Sequence, residues 1–600
     1  MSDQDGTTTA TSRAATGSAL GSGPGSEKAG GRLLGSVPVL AGLSEEQRGQ
    51  LAKQAREVAV AAGEWLLREG EEGETMYVIR SGQLDIVSEG PPETLIRTIR
   101  RGDVVGELAL LHAERRSASV RARRNSELLE LSRSQFEQLI RKEPSFAIAL
   151  TRSMGAQLAV SKSPVGSPPA PRAIAVVRLD SRAPGPEAVD RLAKGLRRAG
   201  SLARLDPRAE GSKVELLGAI ERAEDDAERV LLVAGGVAET WTELCLGEAD
   251  IVVAITSGQP DREWSRRAST LKGCELLVTG GESVSESWLA ALEPRELQVL
   301  TDPDRLGAAL DSTARRLTGR AWGVVLSGGG ARAFAHLGVI EVLLEAGLVI
   351  DRVGGVSLGG LVAGAVATGA GRDTLHTIFK EGIVERNPTG DYALPLYALL
   401  RGNRTRGLLA EHFGEQRIEE LPMRFFCLSC DLVAREAVVH RSGVVHEAVY
   451  ASLAIPAVFP PVATQDGRLL VDGGVLDNLP VATMAATGQG PVVASDVTGQ
   501  MGAFRRPARR RLAKLTRPLR RALTGTESEL PRLGETILRT VVVGSTDTVA
   551  AARQHADIVI TPQVDGVGLM DWKRIDEVRE MGRRTAQEAL EKMREIPWAG

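Results

Sequence analysis

The order of apolar and polar positions changes along the chain, and each pattern predicts a different architecture. Between residues 33 and 160, short apolar runs are separated by glycine-rich turns. Strands of this length and spacing predict a small β-barrel or jelly roll. Helical patterns at 45–61 and 133–157 flank it. The four clearest runs of this block lie at 65–67, 75–79, 84–87 and 119–121.

A second pattern occupies residues 173–318. The longer apolar runs AIAVVRL, VLLVAG, IVVAIT and ELLVTG alternate with segments of helix length. Runs that are apolar on both faces predict a parallel sheet covered by helices. No glycine-rich phosphate loop follows these strands, so we interpret the block as an α/β connector. Residues 319–595 begin with the strand WGVVL and return to strand–helix alternation, which predicts a further α/β domain.

Two polar segments separate or precede these blocks. Residues 161–172 read SKSPVGSPPAPR, a proline- and serine-rich linker. Residues 1–32 are rich in Ser, Thr, Gly and Ala and lack the apolar core of a signal peptide. They predict a disordered tail. No run approaches the ~18 consecutive apolar residues that a membrane-spanning helix needs.

Composition narrows the class of protein. Of the 600 residues, 42% are hydrophobic and 25% are charged, and the formal net charge is −3. This balance is typical of a soluble multidomain protein and predicts no nucleic-acid partner. The four cysteines are too few for a disulfide framework, so we expect reduced thiols and a cytoplasmic location.

The third block contains the pentapeptide GVSLG, with Ser357 at its centre. The G-x-S-x-G spacing puts a serine on a sharp turn from strand to helix, with glycines where side chains would collide. The apolar segment that follows, LVAGAVATG, predicts a tightly packed helix. Its N-terminal dipole favours negative charge near Ser357, which makes this serine a candidate nucleophile.

About thirty residues earlier, a glycine-rich loop follows a predicted strand and opens a helix. Consecutive glycines let backbone N–H groups converge on one point, as an oxyanion requires. The candidate donors of this oxyanion hole are Gly328, Gly329, Gly330, Ala331 and Arg332.

An alternative for the same loop is a dinucleotide-binding turn. Gly328, Gly330 and Ala333 fit the G-x-G-x-x-G/A spacing, with Asp351 as an acid downstream. This interpretation leaves the serine motif that follows without a role.

Asp472 is the candidate base. It ends a predicted strand and precedes two glycines, so a tight turn can project its carboxylate into a site. An isolated Asp-Gly pair is usually only a turn. Asp472 becomes a candidate base because the two motifs already described occur in the same block.

Together these elements resemble the patatin-like phospholipase family, and especially its neuropathy target esterase-like branch. The similarity runs from about residue 322 to residue 576 and includes YASLAIPAVFPPV, GGVLDNLPV and VDGVGLMDW. The resemblance implies a Ser357–Asp472 dyad without histidine, and hydrolysis of a phospholipid or lysophospholipid without a catalytic cofactor. The chain departs from the family at Ala333, where glycine is usual. The alternative is therefore a sensing scaffold at the membrane surface whose hydrolase is weak or inactive.

Histidines and cysteines of this block have other interpretations. Because this block contains several histidines, a Ser–His–Asp triad is an alternative, but none of the histidines considered lies in a motif of the family. They are His336, His376, His412, His440 and His446. We interpret each as structural or exposed. Cys427 and Cys430 have the spacing of a thiol pair inside the apolar run FFCLSCDLV. No further ligands are evident, so we predict a buried strand and no metal.

A second resemblance lies in the first block. The segments GELALL (106–111) and RRSASV (115–120) are similar to the phosphate-binding cassette of cyclic nucleotide-binding domains, over about 36–158. The resemblance implies that Arg116 pairs with the cyclic phosphate and Glu107 accepts the ribose 2′-hydroxyl. The other implied contacts come from Gly106, Leu108, Ala109 and Ser117.

The implied ligand is a cyclic nucleotide that acts as an allosteric effector. Serine rather than threonine at position 117 favours cAMP over cGMP. The hypothesis is that this ligand changes access to Ser357, because both motifs share one chain. A purely structural or docking role of the barrel is the alternative.

The segment 504–523, FRRPARRRLAKLTRPLRRAL, carries nine Lys or Arg residues. One interpretation is a solvated loop. The other is a patch that binds anionic headgroups, at about 1 kcal/mol per basic residue near a membrane. The second predicts peripheral contact with the inner membrane surface.

Overall fold

The computed structural model describes residues 46, 55–61, 63–88, 94–100, 103–112, 115–123, 126–142, 170–207, 211–236, 239–280, 284–394, 396–498 and 546–594. These residues belong to two compact units, 1–168 and 169–600. The predicted segments at 1–32 and 504–523 lie outside the described residues.

The first unit is a jelly roll of two antiparallel four-stranded sheets. One sheet has the order β1-β8-β3-β6 and the other β2-β7-β4-β5. Apolar side chains from both sheets form one core between them, among them Ile79, Leu84 and Leu128. The strands are β1 Arg56–Val60, β2 Trp65–Leu67, β3 Thr75–Ser81, β4 Gln83–Ser88, β5 Thr94–Arg100, β6 Val104–Val105, β7 Ser119–Ala122 and β8 Ser126–Ser132. Its helices are α1 Glu107–His112 and α2 Arg133–Lys142.

The predicted helix over 45–61 is wrong for residues 56–60, which form β1. This strand pairs with β8 in antiparallel register, from Arg56 opposite Glu130 to Val60 opposite Ser126. The backbone pairing of β1 overrides the local helical pattern. The second flanking helix starts at Arg133 as predicted, and residues 143–157 lie outside the described part of the chain.

The second unit begins with a six-stranded parallel sheet of order β10-β11-β9-β12-β13-β14. Helices cover both faces, and separate apolar cores lie on the two sides. The strands are β9 Ala173–Arg178, β10 Leu202–Leu205, β11 Arg229–Val233, β12 Ile251–Thr256, β13 Glu275–Val278 and β14 Glu296–Val299. The two that the sequence did not predict, β10 and β14, are short and carry charged or amide side chains.

A mixed eight-stranded sheet follows in the same unit, with the order β19-β20-β17-β16-β15-β21-β22 and β18 paired to β17. Strands β17, β16, β15, β21 and β22 are parallel neighbours, so the turns that follow them lie at one edge. The strands are β15 Trp322–Leu326, β16 Ile350–Val356, β17 Arg424–Asp431, β18 Glu436–His440, β19 Val462–Ala463, β20 Leu469–Asp472, β21 Val492–Ser495 and β22 Ile558–Ile560.

Fourteen helices are described around the two sheets of this unit. Within the described residues, no helix combines the length and hydrophobicity needed to cross a bilayer. The helices are α3 Pro186–Arg197, α4 Lys213–Asp226, α5 Thr240–Glu248, α6 Arg262–Arg266, α7 Glu286–Leu292, α8 Leu306–Leu317, α9 Ala335–Glu345, α10 Ser357–Ala367, α11 Arg372–Phe379, α12 Asn403–Phe413, α13 Val445–Leu453, α14 Val481–Ala485, α15 Thr546–His555 and α16 Ile575–Arg594.

Candidate active site and nucleotide site

Ser357 lies where the chain passes directly from β16 into α10. Its φ is 54°, a left-handed value that residues other than glycine rarely adopt. The Ser357 amide donates a hydrogen bond to the hydroxyl of Ser452, with 3.0 Å between N and Oγ. Ser452 is fully buried, and this contact holds the strained turn. Sequence reasoning missed Ser452, although it lies in the quoted segment YASLAIPAVFPPV.

The backbone around this turn is too close for side chains. A Cβ atom on Gly355 would lie 2.8 Å from the carbonyl oxygen of Leu326. One on Gly359 would lie 2.3 Å from the carbonyl oxygen of Ser327. The G-x-S-x-G spacing therefore reflects the packing of α10 against the end of β15.

Strand β17 lies between the nucleophile and the candidate base. Val356 pairs with Leu428, and the next residue of β17, Ser429, pairs with Asp472 on the other side. The Ser357 side chain lies close enough to the Asp472 carboxylate to lower its pKa. Parallel pairing on one side and antiparallel pairing on the other thus bring together two residues that are distant in sequence.

Asp472 is 2% exposed, and its environment adjusts its basicity. Burial raises the pKa of Asp472 to about 6, while the hydrogen bonds with Ser357 and with the Gly474 amide lower it. The Gly474 amide donates to Oδ1 at 2.8 Å. A carboxylate with this pKa is ionised at neutral pH and is a better proton acceptor than an exposed aspartate.

The backbone amides of the glycine loop after β15 differ in whether they already donate a hydrogen bond. Three of the five predicted donors already have backbone acceptors: Gly328 N donates to Asn478 O, Ala331 N to Leu569 O and Arg332 N to Gly329 O. In the described part of the chain, the amides of Gly329 and Gly330 have no acceptor. These two are the donors left for an oxyanion.

Two segments fix the shape of this loop. A Cβ atom on Gly330, whose φ is 53°, would lie 2.3 Å from the Leu569 carbonyl oxygen. Arg332 Nε donates to the Val567 carbonyl oxygen at 2.9 Å. Asn478 Nδ2 donates to the Gly328 carbonyl oxygen at 3.3 Å. Arg332 therefore braces the loop, and Asn478 is a positioning residue that sequence reasoning missed within the segment GGVLDNLPV.

Ala333, the departure from the family pattern, lies in the short 3₁₀ turn Gly330–Phe334. It is fully buried, and it is absent from the residues with positive φ. The position does not require the conformational freedom of glycine.

An apolar pocket lies beside Ser357. Helices α10, α12 and α13 contribute to its walls, together with residues near 570. Such a surface binds hydrocarbon, at about 0.8 kcal/mol per CH₂ group removed from water. The apolar side chains that line it are Leu358, Leu361, Ile383, Leu408, Leu409, Leu453, Ile455, Val458, Phe459, Met570 and Trp572.

The five histidines have partners or positions of their own. His336 is fully buried between Ser495 Oγ at 2.8 Å and the Ser327 carbonyl oxygen at 2.9 Å. Burial lowers the pKa of His336 to about 4. His440 contacts Ser429 Oγ at 2.7 Å, and its pKa is likewise lowered to about 4, mainly by burial.

The remaining three lie elsewhere. His376 contacts Asp576, His412 packs on Phe413, and His446 lies 3.8 Å from Glu415. No hydrogen bond from a histidine to Ser357 or Asp472 occurs among the described residues.

Cys427 and Cys430 lie in β17 as free, buried thiols, which confirms the predicted buried strand. Burial raises the pKa of both thiols, so they remain protonated at neutral pH. In the described residues, no group of three or more His, Cys, Asp or Glu side chains is arranged to hold a metal ion.

The jelly roll brings the predicted nucleotide contacts together. Arg116 is 6% exposed and Glu107 is 3% exposed, and their charges interact. Arg116 Nη1 donates to the Gly106 carbonyl oxygen at 3.0 Å, and Nη2 to Thr75 Oγ1 at 3.1 Å. Its Nε has no acceptor among the described residues. Burial lowers the pKa of Arg116, although nearby acids oppose this.

The neighbouring positions complete the segment. A Cβ atom on Gly106, whose φ is 86°, would lie 2.6 Å from Arg116 Nη1, so this glycine makes room for the guanidinium. Ala109 is buried, whereas Leu108 is 40% exposed and Ser117 is exposed. Sequence reasoning missed Thr75, which lies about forty residues before the motif.

Two family models match this chain. Residues 324–485 match the patatin-like phospholipase family, and residues 57–143 match the cyclic nucleotide-binding domain. The first is the domain of a lipid ester hydrolase. The regulatory domain of Toxoplasma gondii PKA with cAMP is 27% identical over 22% of this chain and 50% of its own, with a TM-score of 0.20.

Relatives match most of the chain. The Lysophospholipase NTE1 of Pyricularia oryzae is 25% identical over 89% of this chain, which spans 42% of the fungal protein. The NTE family protein Rv2565 of Mycobacterium tuberculosis is 33% identical over 93% of this chain and 96% of its own length. The chain therefore belongs to the NTE family and joins a cyclic nucleotide-binding domain to a patatin-like phospholipase domain.

Proposed function

We propose that this protein hydrolyses a fatty-acyl ester of a phospholipid or lysophospholipid through a Ser357–Asp472 dyad. The proximity of these two side chains, beside an apolar pocket, carries the proposal. No other residue type is needed for the proton transfer, because the pKa of Asp472, raised to about 6 by burial, suits a base at neutral pH.

The reaction has two halves. Ser357 Oγ attacks the ester carbonyl carbon while its proton passes to Asp472, and the Gly329 and Gly330 amides stabilise the oxyanion. Collapse of the tetrahedral intermediate breaks the ester bond, and Asp472 returns the proton to the leaving alkoxide. Water then attacks the acyl-enzyme, gives a proton to Asp472, and releases the fatty acid as Ser357 regains its hydrogen.

Fatty-acid release from a panel of phospholipids and lysophospholipids tests this proposal. We expect release by the wild-type protein and loss of release in Ser357→Ala. The exposed serine variant Ser181→Ala, in the connector, is the matched control. Release that survives in Ser357→Ala would overturn the dyad, and no release from any lipid by folded wild-type protein would overturn the hydrolase.

Regulation by a cyclic nucleotide is the second part of the proposal. The buried pair of Arg116 and Glu107 offers one cation for a phosphate and one acceptor for a ribose hydroxyl. Ser117 favours cAMP over cGMP. Release measured at saturating cAMP and at saturating cGMP should differ from release without nucleotide. Unchanged release with confirmed binding would contradict regulation.

Contact with a lipid surface is the third part. Ten large apolar side chains are strongly exposed in the described residues, and four lie within six positions: Tyr392, Leu394, Leu396 and Tyr397, at 76% to 86% exposure. Pro388 and Thr389, just before them, line the pocket beside Ser357. An exposed apolar segment at the mouth of a lipid-binding pocket favours docking to a bilayer. The basic segment 504–523 remains a separate proposal, outside the described residues.

Sedimentation with phosphatidylcholine vesicles tests this contact. The double variant Leu394→Ser/Leu396→Ser should bind about 10³-fold more weakly, because about 2 kcal/mol is gained for each leucine that enters hydrocarbon. The control is Val349→Ser, which removes an apolar side chain that is 53% exposed outside this segment. Equal binding of wild type and double variant would contradict docking through this segment.

A further inference from the structure

A cavity of about 470 Å³ lies at the opposite end of β16 from Ser357, between the connector and the catalytic sheet. Connector residues around β14 form one wall, and the starts of β16 and β17 form another. Five arginines and two glutamates line it, which leaves an excess of three positive charges. The charged residues are Arg295, Arg352, Arg417, Arg424, Arg441, Glu296 and Glu419.

Arg352 is the most buried of these cations, and it forms no ion pair with a carboxylate of the described residues. It is 2% exposed, and it donates to Thr487 Oγ1 at 2.8 Å and to the carbonyl oxygens of Ala321 and Gly490 at 2.7 and 3.0 Å. Its Nε has no acceptor in the described part of the chain. A buried charge held only by neutral groups is costly, and it calls for an anion.

Arg424 extends the same cationic wall. Its Nε lies 3.5 Å from Glu296 and makes no hydrogen bond among the described residues. Burial and the like charge of Arg316 lower the pKa of Arg424 to about 10. Burial also lowers the pKa of Arg352 to about 10. Both guanidinium groups remain charged at neutral pH; Glu296 pairs with Arg424, whereas no ion pair of Arg352 occurs among the described residues.

Two more arginines lie at the exposed rim. Arg441 donates to the Thr483 carbonyl oxygen at 3.4 Å, and Arg295 to the Thr487 carbonyl oxygen at 3.2 Å. Apolar side chains, including Leu297 and Phe426, form the rest of the wall. The cavity thus combines several guanidinium donors with an apolar surface.

We propose that this cavity binds a small phosphate-bearing anion. Guanidinium groups match phosphate oxygens in charge and in geometry, and a cavity of this volume is large enough for a phosphate ester. The ligand is either a free phosphate compound or a lipid headgroup, since both present the same phosphate chemistry. The site is separate from Ser357 and from the Arg116 segment, and it gives the connector a role in ligand binding.

Calorimetric titration of the full-length protein tests the proposal. The probe for free phosphate is inorganic pyrophosphate at constant ionic strength, and the probe for a headgroup is dihexanoyl phosphatidic acid with Ser357→Ala protein. The double variant Arg295→Gln/Arg441→Gln changes only exposed rim residues, so it should fold. We expect it to weaken binding at least about tenfold. Arg352→Gln is the stronger variant and is used only if its thermal unfolding matches the wild type.

Two controls separate this site from others. Arg197→Gln and Arg262→Gln each remove an exposed charge of the connector outside the cavity. Both should bind pyrophosphate like the wild type. Binding by only one probe, lost in the rim variant, supports the site and names its source. Binding that persists in the rim variant, is lost equally in the two control variants, or is absent for both probes overturns the proposal.

Discussion

The catalytic site and the nucleotide segment both depend on one buried ionisable group, but they are assembled differently. Asp472 interacts with Ser357, and the glycine loop that begins at Gly328 also lies next to Ser357; these three elements come from separate parts of the chain. Arg116 meets Gly106 and Glu107 within one short segment, with Thr75 as the distant partner.

The state of the two groups also differs. The Asp472 carboxylate already interacts with the Ser357 side chain, as the proposed reaction requires. Arg116 is held by neutral oxygens, and its Nε is unpartnered among the described residues. The proposed catalytic pair is therefore assembled without a substrate, whereas Arg116 is positioned for the anion that the proposed nucleotide site would bind. Variants of Asp472 should therefore lower the rate of hydrolysis, and variants of Arg116 should weaken nucleotide binding.

The largest effect is expected for Asp472→Asn. An amide cannot accept the Ser357 proton, so fatty-acid release should fall about 10³-fold, within the range of general-base catalysis. The matched control is Asp477→Asn, five residues later, whose side chain accepts a hydrogen bond from the Leu479 amide. Steady-state rates with a released fatty-acid assay measure both. A histidine-based mechanism would be indicated if Asp472→Asn kept wild-type rates.

A smaller effect is expected for Arg116→Gln. Loss of a buried cation that pairs with the cyclic phosphate should weaken cAMP binding about 100-fold. Arg115→Gln makes the same change in charge at the adjacent exposed position and should bind normally. Calorimetric titration with cAMP distinguishes them. Equal loss in both variants would mean that general charge, and not this buried site, binds the nucleotide.

The dependence on pH sharpens the contrast. Because the base must be ionised, and burial raises the pKa of Asp472 to about 6, the rate should fall about tenfold per pH unit below 6. The effect of pH on the free energy of unfolding has the opposite sign. A folded-state pKa above the unfolded value means that protonation of Asp472 favours the folded state, so its contribution increases as pH falls from 6 toward 4. Rates and thermal unfolding measured in parallel should therefore diverge; a rate that falls only with unfolding would contradict this assignment.

The sequence was informative where backbone packing restricts residue type. Gly355, Gly359 and Gly330 lie where a Cβ atom would collide with neighbouring backbone. The spacing of these glycines in the sequence therefore indicated the geometry of the site. Ser452 and Asn478 could not be found in this way. Each makes one hydrogen bond that depends on tertiary packing, and no local pattern marks a serine in a helix or an asparagine in a loop as such a partner.

The strands, too, could be predicted where packing restricts residue type. The long apolar runs of the connector predicted β9, β11, β12 and β13, because both faces are buried. Strand β14, with the sequence ELQV, gave no such signal, since Glu296 interacts with Arg424 and Gln489 of the catalytic domain. The wall of the cationic cavity therefore became visible only in three dimensions.

The smallest effect is expected for Ala333→Gly, which restores the residue usual in the family. Ala333 is fully buried in a turn without positive φ, so glycine adds conformational freedom that the fold does not use. Activity should stay within about twofold of the wild type, while the free energy of unfolding decreases by about 1 kcal/mol. Denaturant unfolding and fatty-acid release measure the two quantities. A large gain in activity would instead mean that the alanine restricts the oxyanion loop, and the inactive-scaffold alternative would then describe the natural chain better.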